Sequence, residues 1–437
     1  MTTRRNFLIG LGASGLVTSL SLPALAGTPA PLKAIAITKV YGDGLRFVAI
    51  ALEYPQSLSA DMIKASDFSV EGRNITDVFP ATAADPDSRS QSGKFLIIAL
   101  SPDDAAARLK QEDQPQAMPV AASQTDGAAA AGKKPHWSAG DPNDSGVTWA
   151  TPQATIATPE GDVTTSGVVN LVLDAFEQRV WNDPETGDSL PYNLFTPKDY
   201  DPAKTYPLVN FMPDAGATST DPLMTLKQGL GAISWASPED QAARPAFVLA
   251  PQYAEIIADD DNRTSSMLET TLNLIKALGE EFPIDPARRY TTGQSGGGML
   301  SMAMNIKYPD FFAASFLVAC QWGPELVAPM AQNRLFIVTS QDDPGAFPGQ
   351  NADTEALEAA GAHVARAIWD GRWDDDQFQF AFDALIAQGA RINYVSFAKG
   401  TVIPATDNGQ GAAGHRNTWR LAYSIAPIRA WIMRTDI

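Results

Sequence analysis

The chain has 437 residues and a formal net charge of −18, so its surface repels nucleic acid and anionic lipid, and we expect neither as a partner. One cysteine and three histidines exclude an internal disulfide framework and leave few ligands for a transition metal. No cofactor motif is present, so we expect no metal and no cofactor. The acidic surface is interpreted as serving solubility.

The N-terminus has the organisation of an export signal. Arg4 and Arg5 precede an apolar stretch that runs to Leu22, and small residues follow at 24 and 26. This order is typical of a cleaved targeting segment, and the paired arginine indicates the Tat route. Because glycines interrupt the short apolar stretch, we expect cleavage after residue 26 and no stable membrane insertion. The sequence predicts a periplasmic or secreted protein delivered by the Tat export machinery.

Residues 27–165 are predicted to form a small all-β sandwich. Two segments, 35–41 and 46–52, alternate apolar and polar residues on either side of a Gly-Asp-Gly turn, which predicts a hairpin. Further strands are indicated at 68–70 and 95–100. Residues 103–150 are rich in Ala, Ser, Gln, Gly, Pro and Asp, which predicts a low-complexity loop without a packed core inside this domain.

Residues 166–437 are predicted to form an α/β domain. Apolar strand-like runs alternate with helix-like segments, as in a mostly parallel sheet with crossover helices. The predicted strands lie at 207–212, 246–250, 289–292, 316–320, 335–339 and 392–397. The predicted helices lie at 265–281, 299–306, 355–368, 378–388 and 417–434.

A Gly-Gln-Ser-Gly-Gly segment at 293–297 has the form G-x-S-x-G. It lies between a predicted strand and a predicted helix, where the chain must turn so sharply that side chains at the flanking glycines would clash. The start of the helix also places Ser295 at a positive dipole end, which favours a developing oxyanion. We therefore predict that Ser295 is the nucleophile of an α/β-hydrolase fold.

A serine nucleophile needs a base, and the chain offers three histidines. His136 lies in the low-complexity segment, and His363 lies within a predicted helix. His415 lies in a Gly- and Ala-rich loop after the last predicted strand and before the closing helix, which is where this fold delivers its base. Elimination therefore favours His415.

The third member of a triad should follow the predicted strand 335–339. Asp342 and Asp343 both do so, and only one of them can meet the imidazole. Either choice gives the order Ser, Asp, His along the chain, which is that of α/β-hydrolases. Asp407, in the loop before His415, is the next candidate if neither serves.

An oxyanion hole needs two backbone N–H donors. One is the amide of Gly296, directly after the nucleophile. The second is expected from the loop after Met212, with Ala215 as the donor, because the neighbouring Gly216 allows the backbone to approach closely.

The catalytic part resembles the poly-hydroxybutyrate-depolymerase-like esterases, which include feruloyl and acetyl-xylan esterases, and most of all those members with an N-terminal immunoglobulin-like domain. The matching segments are Leu-Pro-Tyr-Asn-Leu-Phe-Thr-Pro at 190–197, Tyr-Pro-Leu-Val at 206–209, Thr-Gly-Gln-Ser at 292–295 and Tyr-Pro-Asp at 308–310. The segment 343–349 resembles the acid loop of the group, which favours Asp343 over Asp342. Two departures stand out, because the group usually has His-Gly in place of Pro213-Asp214 and often Met in place of Gly296.

These features together predict an exported serine esterase that forms an acyl-enzyme on Ser295. A peptidase of the same fold would use the same acyl-transfer chemistry, but no device that would select peptides is apparent. A non-catalytic binding protein on a hydrolase scaffold is a further alternative. The complete Ser, Asp and His set argues against it.

Overall fold

The structure is a computed structural model that describes residues 29–112, 147–405, 407, 409 and 411–435. The predicted signal segment and His136 lie outside the described residues, as does most of the predicted low-complexity loop. Within the part that is described, no helix has the length and hydropathy needed to cross a bilayer.

The N-terminal unit is built from short β-strands in two layers. Its strands are β1 (Lys33–Tyr41), β2 (Gly44–Ser59), β3 (Ser69–Val70), β4 (Ile75–Ala81), β5 (Ser92–Leu100), β6 (Lys110–Glu112), β7 (Val147–Trp149), β8 (Thr155–Thr158), β9 (Gly161–Thr164) and β10 (Gly167–Asn170). One sheet has the order β10-β1-β2-β5-β4, and a smaller one has the order β3-β8-β9. The parallel pairing of β10 with β1 carries this unit past residue 165, the boundary indicated by the sequence.

Both faces of the larger sheet are covered, so β1 is buried at successive positions and not only at every second one. Ile35 and Ile37 of β1 enter one apolar cluster, whereas Ala36 enters the other. Successive side chains of a strand point to opposite faces, so a period of two fills both clusters. The smaller sheet covers one face, since Val70 and Ile156 belong to the same cluster as Ala36.

The flanks of the predicted low-complexity loop are ordered, so the boundaries 103–150 were too wide. Ala107 and Leu109 are buried, and β6 pairs with β7 across the undescribed residues. Trp149 packs against the apolar core. These buried apolar positions are few. The average composition of the segment is polar, so an interpretation based on composition does not reveal them.

The C-terminal unit is a large sheet flanked by helices. Its strands are β11 (Phe176–Asn182), β12 (Ser189–Phe195), β13 (Tyr206–Met212), β14 (Phe247–Pro251), β15 (Ile284–Gln294), β16 (Ala314–Val318), β17 (Leu335–Ser340), β18 (Val364–Trp369) and β19 (Ile392–Phe397). Its helices are α1 (Met224–Lys227), α2 (Leu230–Ile233), α3 (Pro238–Ala243), α4 (Met267–Glu281), α5 (Gly296–Lys307), α6 (Ala346–Ala359), α7 (Asp375–Ile386), α8 (Ala413–Ala422) and α9 (Ala426–Ile432).

The strands of this sheet have the order β11-β12-β14-β13-β15-β16-β17-β19-β18. The pairs β11/β12 and β12/β14 are antiparallel, and the remaining pairs are parallel. Strands β13, β16 and β17 are buried along their whole length, as parallel strands covered by helices on both faces must be. The carboxyl ends of β13, β15 and β17 therefore lie at one edge of the sheet.

Two helix predictions were wrong. The predicted helix 355–368 is the end of α6 followed by the strand β18, because Gly361, with φ of 94°, reverses the chain after the helix. The predicted closing helix 417–434 is two helices. α8 begins earlier, at Ala413, and α9 restarts at Ala426 with a proline in its first turn.

The two units share one apolar core. Val40 and Leu45, on either side of the β1–β2 turn, belong to the same buried cluster as Leu226 and Ile233 of α1 and α2. The N-terminal unit is thus packed into the C-terminal one, and is not attached to it by a bare linker.

A buried carboxyl group on α6 makes stability depend on pH. Burial raises the pKa of Asp353 to about 7, although the amide of Trp322 donates to its Oδ2 at 2.9 Å and so acts in the opposite direction. Its Oδ1 is buried and has no hydrogen-bond partner. Between the ordinary pKa of 3.8 and about 7 the folded state binds more protons than the unfolded state, so the contribution of Asp353 to stability falls as pH rises.

We predict that Asp353→Asn stabilises the protein relative to wild type more at pH 8 than at pH 5. The difference should be on the order of a few kcal/mol, since each unit of pKa shift corresponds to about 1.4 kcal/mol. Urea unfolding at both pH values measures it. Asp310→Asn, at an exposed carboxylate, is the control and should show no such difference. An Asp353→Asn effect that is equal at both pH values would contradict the prediction.

Candidate active site

The turn from β15 into α5 holds Ser295 in a backbone conformation that residues other than glycine rarely adopt. Its φ is 50° and its ψ is −121°. A non-glycine residue at positive φ is strained and persists where its surroundings impose it. Here the amide of Ser295 donates to the carbonyl of Val318 at 3.0 Å, and α5 begins at the next residue. The result is a half-buried hydroxyl at the head of a helix.

The two flanking glycines make this turn possible. A Cβ on Gly293 would lie 2.3 Å from the carbonyl carbon of Gly297. A Cβ on Gly297 would lie 2.1 Å from the carbonyl oxygen of Met212, at the end of β13. Both distances fall well inside van der Waals contact with backbone atoms, which cannot move aside. The glycines of the motif are therefore required by packing.

His415 contacts the serine directly. Its Nε2 lies 2.9 Å from Oγ of Ser295. The residue belongs to the first turn of α8 and not to a loop, which corrects the sequence interpretation. The Trp419 ring, one turn further along α8, packs edge-on against the imidazole with 5.0 Å between centroids. A Cβ on Gly414 would lie 2.3 Å from the carbonyl oxygen of Asp342, so α8 begins packed against the loop that follows β17.

Asp343 lies on the other side of the imidazole. Its Oδ2 is 2.5 Å from Nδ1 of His415, and its Oδ1 accepts the amides of Gly345 and Ala346 at 3.0 Å each. Burial raises the pKa of Asp343, but the hydrogen bond and charge of His415 and the two amides outweigh burial and hold it below its usual value. The carboxylate is therefore kept ionised, as an orienting partner for imidazole must be.

The other candidate residues lie apart from this hydrogen-bonded chain. Asp342 directs its carboxylate to the amide of Gly400 at 2.6 Å. Asp407 accepts from Gly409 and from Asn417. His363 precedes β18, whereas Ser295 and Asp343 follow β15 and β17, so parallel pairing places it at the opposite edge of the sheet.

The loop after β13 lies beside the turn at Ser295, as the prediction of an oxyanion hole requires. A Cβ on Gly296 would lie 3.7 Å from the amide nitrogen of Ala215, and both residues line one small pocket together with Tyr253 and Ile257. Ala215–Ala217 forms a short 3-10 turn. The backbone donors of Gly296 and Ala215 are thus neighbours.

Asp214 is a residue that the sequence interpretation treated only as a departure from the family. Its Oδ1 accepts the amide of Gly216 at 2.8 Å, and its Oδ2 accepts Nε2 of Gln294 at 2.8 Å. The carboxylate thereby caps the turn Ala215–Ala217 and ties it to Gln294, the residue before Ser295. The Asp-x-Gly spacing is a known turn signal and could have indicated the first of these contacts.

The described residues include no group of three or more His, Cys, Asp or Glu side chains arranged to hold a metal ion. A serine, an imidazole and a buried carboxylate in sequence form the arrangement used for acyl transfer.

Comparison with known proteins identifies the N-terminal domain and the overall fold. Residues 33–169 match the family model for the esterase Ig-like N-terminal domain. The crystal structure of a thermostable esterase superimposes with a TM-score of 0.71 at 22% identity, covering 92% of this chain and 98% of the other. The chain has the α/β-hydrolase fold. Both the α/β-hydrolase fold and the Ig-like N-terminal domain predicted from the sequence are confirmed.

Two further structures are more remote. A mutant of the feruloyl esterase module from Clostridium thermocellum complexed with sinapinate matches at 14% identity and a TM-score of 0.40, covering 57% of this chain and 86% of the other. The acetyl xylan esterase from Aspergillus awamori matches at 14% identity and 0.34, covering 43% and 81%. These scores are too low to add to the assignment of the α/β-hydrolase fold. No curated protein matches the sequence.

The adjacent aspartates provide a matched pair of variants. We predict that Asp343→Asn slows the labelling of Ser295 by a fluorophosphonate by about 10³-fold or more, because an amide cannot hold the imidazole in the required tautomer. Asp342→Asn should label at nearly the wild-type rate. Thermal melting checks that both variants are equally folded. If Asp342→Asn were the slower to label, Asp342 would be the residue that orients the imidazole. Wild-type labelling of both variants would point to Asp407.

Proposed function

We propose that this chain is an exported serine esterase that hydrolyses carboxylic esters through an acyl-enzyme on Ser295. The observation that carries the proposal is the continuous chain of contacts from Oγ of Ser295 through His415 to Asp343. The esterase Ig-like domain match and the overlap with a thermostable esterase support the same activity.

The geometry suits a two-step displacement. As Oγ of Ser295 bonds to the ester carbonyl carbon, its proton passes to Nε2 of His415, and the oxyanion faces the amides of Gly296 and Ala215. Collapse breaks the bond to the alcohol, which leaves with the proton from Nε2. Water then adds to the acyl-enzyme in the same way, releasing the acid and restoring Ser295. Asp343 remains ionised throughout and offsets the charge on the imidazolium.

We predict that Ser295→Ala and His415→Ala each lower ester hydrolysis by about 10³-fold or more, and that the double variant is no worse than either. Members of one catalytic unit are not additive, because each needs the other to act. His363→Ala, at the opposite edge of the sheet, is the control and should retain activity. Initial rates on aryl, acetyl-sugar, feruloyl and hydroxyalkanoate esters provide the measurement.

Amide substrates of matched acyl group belong in the same panel. Turnover of amides at rates comparable to esters would favour a peptidase. A wild-type protein that neither hydrolyses esters nor reacts with a fluorophosphonate would be a binding protein on a hydrolase scaffold, and the proposal would be wrong.

Export by the Tat route is the second part of the proposal, and the N-terminal sequence supports it. We predict that the combined change Arg4→Lys and Arg5→Lys retains the protein in the cytoplasm of a bacterial host that has the Tat machinery, because the paired arginine is the feature that the receptor reads. Cell fractionation measures the distribution, with Lys33→Arg as the control. Unchanged export of the double variant would contradict the Tat assignment.

A further inference from the structure

The tip of the β1–β2 hairpin in the Ig-like domain contacts the helix that carries His415. Gly42 lies at this tip, and a Cβ placed on it would be 2.3 Å from the carbonyl oxygen of Arg420 on α8. Two backbones are therefore in direct contact, with no side chain between them. Arg420 lies five residues after His415 in the same helix, roughly 8 Å along its axis.

The hairpin tip is held from a second side by the segment that joins α1 to α2. A Cβ on Gly229 would lie 3.2 Å from the carbonyl oxygen of Gly42, and a Cβ on Gly44 would lie 3.4 Å from that of Lys227. Val40 and Leu45 anchor the base of the tip in the shared apolar core. The tip is thus fixed between α8 and the α1–α2 segment.

Contacts within the C-terminal unit fix the two ends of α8. Gly414 is packed on the backbone of Asp342 at the first turn. Beyond the last turn, the hydroxyl of Tyr423 lies 3.2 Å from that of Thr292, and its ring packs on Phe316 with 5.3 Å between centroids. The hairpin contact at Arg420 is the contribution of the N-terminal unit to the position of this helix.

We propose that the N-terminal unit acts as a positioning element for the catalytic base. Through Gly42 and Arg420 it sets the placement of α8, and so keeps Nε2 of His415 at hydrogen-bonding distance from Oγ of Ser295. Gly42 is a positioning residue and does not contact substrate. The inference rests on the proposed role of His415 as the base. A displacement of about 1 Å at a reacting group can cost about 10²-fold in rate, so a small shift of α8 is sufficient.

The test compares Gly42→Ala with Gly167→Ala in the same unit. At Gly167 an added Cβ meets only the end of the Lys33 side chain, at 3.2 Å, which can move away. We expect Gly42→Ala to lower both kcat for esters and the rate of fluorophosphonate labelling by about 10- to 100-fold, with KM nearly unchanged. Gly167→Ala should behave as wild type in both assays.

Hydrogen exchange separates positioning from general destabilisation. In Gly42→Ala, amides of α8 should exchange faster, while those of β15 and β16 keep wild-type rates. Wild-type labelling and unchanged α8 exchange in a folded Gly42→Ala protein would overturn the inference. Faster exchange throughout the chain would also overturn it, because the hairpin would then act on overall stability.

The two proposals can fail separately. Labelling of Ser295 does not depend on which substrate the protein takes, so a wild-type chain that is labelled but hydrolyses no ester would remove the esterase proposal alone. The comparison of Gly42→Ala with Gly167→Ala would then still decide the positioning role.

Discussion

The site depends on one packing constraint, the contact of the Gly297 backbone with the end of β13. That contact leaves no room for a Cβ and holds Ser295 at φ of 50°, so the hydroxyl points out of the sheet towards His415. The same contact brings the turn from β15 into α5 beside the loop that contains Ala215. Ser295 and the amides of Gly296 and Ala215 are therefore positioned by the ends of the rigid parallel strands. In the proposed mechanism this arrangement gives preorganised charge stabilisation.

Two carboxyl groups on or near α6 illustrate how local surroundings decide ionisation. Asp343 precedes the helix, where free amides and the imidazole favour its charged form despite burial. Asp353 lies within the same helix, with the amide of Trp322 as the partner of one oxygen and no partner for the other, and burial dominates there. The two residues are ten positions apart, yet the surroundings lower the pKa of Asp343 and raise the pKa of Asp353.

Motif and elimination were enough to select Ser295 and His415, because a sharp strand-to-helix turn needs glycines at set positions and few histidines exist. Sequence could not separate Asp342 from Asp343, since adjacent residues in a loop diverge according to backbone geometry that only the fold provides; the family resemblance favoured the one that contacts the imidazole. The strand β18 was missed for a related reason. It lies at the edge of the sheet and mixes buried, half-buried and exposed residues, so it shows neither a continuous apolar run nor strict alternation.

The pairing of β6 with β7 has a practical consequence. Glu112 and Val147 are opposite each other in that pair, so the two residues that border the segment 113–146 are neighbours. A domain whose own termini are close together could be inserted between them and would leave the strand pairing intact. This position is far along the chain from Ser295 and His415, and it offers a place to attach a reporter or an affinity module within the first half of the sequence.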